Sequence, residues 1–184
     1  MRKVIVSNYI TLEGFIEGPN REIDRFVWDE EMAKYSIDLL YSIDTILFGR
    51  GTYELMANFW PIPAADSEAP VITAYMNNSA KIVFSNTLAR GDWKNTRVVK
   101  AINQEDILNM KQQPGKNLVM FGGIGIAQTF RQLGLIDEYR IIVNPIVLGS
   151  GKPLFKDIKE KINLKLVRTK TFKCGNVILY YQPI

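Results

Sequence analysis

Residues 3–10 (KVIVSNYI) form a β-rich run and predict a buried first strand. Residues 11–25 then carry Gly14, Gly18, Pro19 and Asn20, which predicts a loop long enough to serve as a functional lid. Asp29 can cap a helix running to about Ser42, with Met32, Tyr35, Ser36, Leu39 and Leu40 on one face. Residues 44–49 (DTILFG) read as a short buried strand and residues 52–58 as a brief helix, after which Trp60-Pro61-Ile62-Pro63 breaks the chain. A short helix before Ser79 leads into a strand over residues 80–85. A strand over 97–100 precedes a helix over 103–113, which Pro114-Gly115 ends. Residues 117–121 form a strand, residues 122–125 lead into a helix over 126–133, and Gly134 fits the position just past its end.

From Asp137 the pattern changes to strands alone, over residues 139–147, 164–172 and 177–182, the last two joined by a turn at 173–176. Repeated strand–helix units predict an α/β fold with a mostly parallel central sheet and helices on both faces. An antiparallel hairpin closes it at the C-terminus. No repeat, linker or low-complexity segment interrupts the chain, so residues 1–184 read as one domain.

Composition narrows the chemistry. The chain of 184 residues is 47% hydrophobic and 23% charged, the balance of an ordinary globular protein. No run approaches the roughly 20 apolar residues needed to span a bilayer, and the N-terminus reads as a strand and not as a signal peptide. A single cysteine, Cys174, suits the reducing cytosol, and a cytoplasmic location is expected. The net charge of +4 is scattered, without the basic stripe of a nucleic-acid binder. There are no histidines, which excludes Ser-His-Asp and Cys-His catalysis and the common zinc sites, so no metal is expected. Chemistry must rest on carboxylates, hydroxyls, backbone groups or an organic cofactor.

In open α/β sheets, ligands bind outside the carboxyl ends of the strands. Three polar or glycine-rich segments fall there. In Phe48-Gly49-Arg50-Gly51-Thr52, Gly49 permits close backbone approach, and Arg50 and Thr52 face an anion at a helix start. Ser85-Asn86-Thr87 offers three small hydrogen-bonding side chains. Phe121-Gly122-Gly123-Ile124-Gly125-Ile126 offers bare backbone N–H groups suited to a pyrophosphate. Taken singly each also reads as a tight turn or a surface arginine. The glycine spacing fits neither a Rossmann pattern nor a P-loop.

Together these segments resemble the dihydrofolate-reductase-like superfamily, in particular the C-terminal reductase domain of bacterial riboflavin-biosynthesis deaminase–reductases. Thr11-Leu12-Glu13-Gly14 is similar to that family's Ser-Leu-Asp-Gly segment, and Gly49-Arg50-Gly51-Thr52 to its Gly-Arg-x-Thr motif. Gly122-Gly123 is similar to its paired glycines, and Leu148-Gly149-Ser150-Gly151 to its Leu-Gly-x-Gly end. The resemblance implies NADPH as cofactor, with Arg50 and Asn86 or Ser85 near the 2′-phosphate. Gly122, Gly123, Ile124, Gly125 and Ile126 would hold the pyrophosphate, with Gly49 and Thr52 beside them. Ile10 and the loop over residues 12–16, including Leu12, Glu13 and Phe15, would pack near the nicotinamide and the substrate. Trp28 and Phe26 could line a flat heteroaromatic pocket or simply pack in the core.

The implied activity is hydride transfer to a small heterocycle, with the riboflavin-precursor pyrimidine as family default or dihydrofolate as a relative of it. The proton would come from water or from an acidic group near Asp29, whose other reading is a helix cap. Phe121 stands where the riboflavin-pathway enzymes usually carry a glutamate, which predicts poor turnover of both of those substrates. No deaminase zinc signature is present, so only the reductase half is expected. The alternative is a nucleotide-binding module without turnover. The late strands, followed by no helix to cover them, predict a homodimer.

Overall fold

The structure, a computed structural model, describes residues 1–20, 22, 26–159 and 161–184. Its centre is an eight-stranded sheet in the order β5-β4-β3-β6-β1-β7-β10-β9. The strands are β1 (Val4–Ile10), β3 (Ile43–Gly49), β4 (Ala80–Phe84), β5 (Thr96–Val99), β6 (Asn117–Phe121), β7 (Glu138–Val143), β9 (Leu164–Thr171) and β10 (Val177–Pro183). Strands β5 to β7 of that order pair in parallel, and β10 pairs antiparallel with both β7 and β9. The expected α/β fold with its C-terminal hairpin is the observed one.

Side-chain alternation along the strands builds two cores. Ile5, Ile46, Phe48, Val83, Val119 and Ile142 face one side, where α1 (Glu30–Tyr41) contributes Met32, Tyr35, Leu39 and Leu40. Val4, Val6, Leu47, Leu118, Met120 and Ile141 face the other, where α5 (Gln104–Gln112) contributes Ile107 and α6 (Ile124–Gln132) contributes Ile126 and Phe130. The parallel strands are therefore apolar on both faces, as a sheet covered on both sides requires. No helix among the described residues is long and apolar enough to cross a membrane.

Four local departures from expectation have clear causes. α2 (Arg50–Ala57) begins directly at Arg50. A further helix, α3 (Pro63–Glu68), follows the proline-rich break, because Pro63 occupies a first-turn position where its missing N–H costs nothing; α4 (Pro70–Asn78) follows likewise. α6 begins at Ile124, two residues ahead of the sequence reading, since Gly122 and Gly123 complete the turn by themselves. The first loop is not bare: its β2 (Phe15–Glu17) pairs antiparallel with β8 (Lys152–Pro153) in a two-stranded sheet.

Candidate functional site

The strand order sets the carboxyl ends of β4, β3, β6 and β1 side by side. Ser85, Gly49, Gly122 and Ile10 thus lie along one edge, spaced by the roughly 4.8 Å between neighbouring strands. Three segments spread over more than 70 residues of sequence meet there only because these strands are neighbours.

At the centre is the turn from β6 into α6. Gly122 and Gly123 both take left-handed backbone angles, φ 60° and 65°, which side-chain-bearing residues rarely adopt. The Gly122 N–H donates to the Asn8 Oδ1 at 2.6 Å, and the Gly123 N–H donates to the Thr52 Oγ1 at 3.1 Å. The turn is therefore pinned from β1 on one side and from α2 on the other. A Cβ at Gly122 would stand 3.0 Å from the Thr52 Oγ1, so the close approach adds to the backbone angle in favouring glycine. Beyond the turn, α6 has no side-chain cap, and the N–H groups of its first turn have no partner within the helix. A Cβ added at Gly125 would meet no atom within 4 Å, so the space in front of that turn is open. Ile124 and Ile126 bury their side chains and can offer a ligand only their backbone.

Arg50 lies beside this turn at the start of α2. Its Nε donates to the Glu54 Oε1 at 2.6 Å and its Nη1 to the Thr87 Oγ1 at 2.7 Å. The guanidinium is thus held between α2 and the segment after β4, half-exposed. Ser85, buried, accepts from the N–H groups of Thr87 and Leu88 at 3.2 and 3.0 Å and shapes that segment, while Asn86 is exposed. Gly49 packs under α6: a Cβ there would stand 3.3 Å from the Ile126 Cγ2.

On the other side of β6 lies an aromatic group. The Tyr9 ring is 5.7 Å from that of Phe26 and 6.2 Å from that of Trp28, centroid to centroid. Phe26 and Trp28 flank Val27, whose N–H donates to the Asn144 Oδ1 at 3.0 Å and whose carbonyl accepts from the Asn176 Nδ2 at 2.8 Å. Both asparagines are completely buried, so the backbone between the two rings is fixed. Trp28 stays 50% exposed, an aromatic surface presented to solvent on a rigid support. Phe121 is half-buried against the same side of the sheet.

Asp29 serves as a helix cap in this arrangement. Its carboxylate caps α1 by accepting the Met32 N–H at 2.8 Å, and also accepts the Cys174 N–H at 3.1 Å. The bond from Met32 first, and those from Cys174 after it, hold its pKa below the ordinary value. A carboxyl held in its charged form by these bonds suits the helix-cap reading of Asp29 better than the acid reading.

Glu13 likewise spends its carboxylate on the protein. It accepts the N–H groups of Leu148 and Gly149 at 2.7 and 2.9 Å, so the loop over residues 11–14 is fastened to the loop after β7. Leu12 is 64% exposed between them, and Phe15 is half-buried in β2. Sequence reasoning missed Asn8, Asn144 and Asn176. Asn144 and Asn176 flank strand ends, where sequence marks only the boundary and not the partner. Asn8, with Ser7, interrupts the buried run of β1, and that interruption was the available signal.

Three comparisons fit this geometry. The family model of the RibD C-terminal domain matches residues 2–178. Two Bacillus subtilis proteins are similar over almost their whole lengths. YyaP is 38% identical, covering 98% of this chain and 95% of its own, and YwjB is 30% identical, covering 93% and 92%. Among solved structures, a putative riboflavin biosynthesis protein from Shewanella superposes with a TM-score of 0.78 at 20% identity, covering 99% of each chain. A pyrimidine reductase-like protein from Corynebacterium diphtheriae gives 0.68 at 15% identity, covering 100% of this chain and 92% of that one. The deaminase/5-amino-6-(5-phosphoribosylamino)uracil reductase of Thermotoga maritima gives 0.69 at 14%, and this chain covers 57% of it. By the family match and these two relatives, the chain belongs to the RibD C-terminal domain family.

Proposed function

We propose that the protein is an NADPH-dependent reductase of a small heterocyclic substrate. The observation that carries this reading is the turn at Gly122 and Gly123, pinned by Asn8 and Thr52 at the open first turn of α6. Backbone N–H groups with a helix dipole behind them suit a pyrophosphate. Arg50, one strand further along the same edge, and Ser85 and Asn86, two strands further, suit the 2′-phosphate end. Towards β1, the edge at the ends of β6 and β1, with Phe121 and Ile10 half-buried and Leu12 and Trp28 exposed, suits the nicotinamide and the ring it reduces. The cofactor, when bound, supplies the hydride. The chain binds and orients it, and the aromatic surface of Trp28 offers a flat substrate a stacking partner.

Neither Asp29, committed to its cap, nor Glu13, committed to its loop, stands as proton donor here. The substrate's proton therefore comes from water. That commitment is also what favours the second reading, a nucleotide-binding module without turnover. The Shewanella, Corynebacterium and Thermotoga proteins make a riboflavin-type pyrimidine the first substrate to assay. Turnover of it is expected to be poor, since Phe121 cannot hydrogen-bond a sugar hydroxyl or ring nitrogen. A polar group left unpaired in a dry site costs about 1–3 kcal/mol, a ten- to hundredfold loss.

The test joins a fluorescence titration with NADPH and NADH to steady-state NADPH oxidation with the phosphoribosylaminopyrimidine, dihydrofolate and smaller unphosphorylated heterocycles. Binding with turnover of any of them supports the reductase. Binding with none supports the module, and absence of binding refutes both.

A further inference from the structure

The loop after β1 and the loop after β7 stand beside each other because β1 and β7 are paired up to Ile10 and Val143. What joins them beyond that pairing is unusually complete. The Leu12 N–H donates to the Ile146 carbonyl at 3.0 Å and the Leu154 N–H to the Gly14 carbonyl at 2.9 Å. β2 pairs with β8, and Lys152 meets Glu17 at 3.1 Å. The approach is so close at Gly151 that a Cβ there would stand 2.5 Å from the Glu17 carbonyl oxygen.

One side chain of the first loop engages two backbone donors of the second. Successive N–H groups form a concavity that holds an anion, and the N–H groups of Leu148 and Gly149 form one, with Gly149 at φ 77°. Both carboxylate oxygens of Glu13 fill it, one on each N–H. Glu13 is nevertheless an exposed residue in a turn that Thr11 already closes. The Thr11 Oγ1 accepts the N–H groups of Glu13 and Phe15, each at 3.2 Å. The turn does not need the carboxylate for its own shape; the carboxylate reaches outward to the second loop.

We propose that Glu13 is a positioning residue whose carboxylate couples the two loops into a single flap beyond the ends of β1 and β7. Leu12, exposed on that flap, is then held between two anchors on the second loop, its own N–H on Ile146 and the neighbouring Glu13 on Leu148 and Gly149. A ligand packing against Leu12 is felt at residues 146–151. The purpose of the flap rests on the reductase reading, but the coupling itself does not.

Hydrogen-exchange mass spectrometry tests it on the wild type, Glu13→Gln and Glu13→Ala, each free and saturated with NADPH. In the free protein, Glu13→Ala should speed exchange at least tenfold in residues 11–17 and 146–151 together, with β3, β6 and α5 unchanged. Glu13→Gln, which keeps one accepting oxygen, should fall between. With NADPH, protection should extend over both segments in the wild type and over residues 11–17 alone in Glu13→Ala. Faster exchange confined to residues 11–17 would overturn the coupling, as would faster exchange throughout the sheet, which would make Glu13 a residue of the general fold. If NADPH alters nothing in the wild type while the free-protein pattern holds, the flap stands and the cofactor reading falls.

Discussion

The Gly123 N–H and the Thr52 hydroxyl, 71 residues apart in sequence, are joined at 3.1 Å, and the same hydroxyl stands 3.0 Å from where a Gly122 side chain would begin. One threonine at the start of α2 thus both orients the β6–α6 turn and crowds any side chain at position 122.

Thr52→Val should test the first role. The valine keeps the shape but leaves the half-buried Gly123 N–H without its acceptor, at about 1 kcal/mol. NADPH affinity should fall severalfold in a titration, with melting temperature lowered by a few degrees. Gly122→Ala should be worse, since alanine at φ 60° costs about 1–2 kcal/mol before the contact with Thr52 is counted. Unchanged binding in both variants would dissociate the turn from the cofactor.

Arg50 governs the expected preference for NADPH over NADH, but Glu54 shares its guanidinium. A charge-assisted contact to the 2′-phosphate is worth about 1.5–3 kcal/mol, or roughly ten- to a hundredfold. The neighbouring carboxylate repels that phosphate, so the preference should sit at the lower end of this range. Arg50→Ala should abolish it while sparing NADH. Glu54→Gln should strengthen NADPH binding and leave NADH unchanged. Equal loss of both cofactors in Arg50→Ala would instead assign Arg50 to the fold.

Asp29 should show itself as a cap in both stability and pH dependence. Its folded pKa lies below the unfolded one, so its contribution is fully present above the unfolded value near 3.9 and is lost as pH falls through the folded value. Asp29→Ala should lower the melting temperature by a few degrees at pH 7, and the difference from wild type should shrink in acid. Asp29→Asn, still a good cap, should restore most of the neutral-pH stability. A pH-rate profile unchanged by Asp29→Asn would confirm that the residue donates no proton, and a collapse of turnover in that variant would return it to catalysis.

The edge strand β9 should be an association surface. Seven of its eight residues are exposed, with Leu166 at 49% and Val167 at 54%. An edge strand with unpaired backbone groups, and with Leu166 and Val167 exposed among its charged and polar residues, can accept a second copy. Light scattering at micromolar concentration should give twice the chain mass of 21.0 kDa, and Val167→Lys should give a monomer. A wild-type monomer would sink the idea.

Where sequence and structure agree, the reason is local. The apolar run of β1, the Asp29 cap, the Asn103 cap of α5 and the glycine turn after β6 are each written within a few neighbouring residues. Period, caps and breakers therefore marked most elements to within a residue or two. α3 escaped because two prolines read as a break, although the second one begins a helix.

The amino-acid sequence by itself determined the α/β order, the absence of histidine chemistry and the three segments able to meet a phosphate. It determined these because strand and helix rhythms and residue types are local properties. Only the tertiary structure decided what each polar side chain does. Glu13, offered as a substrate contact, turned to the backbone of Leu148 and Gly149. Asp29, offered as an acid, turned to Met32 and Cys174. Asn8, unremarked, came to hold Gly122. A carboxylate or an amide is satisfied by whichever donor or acceptor stands within about 3 Å. Which group that is depends on the order in which β6, β1 and β7 pair, a relation between strands more than a hundred residues apart.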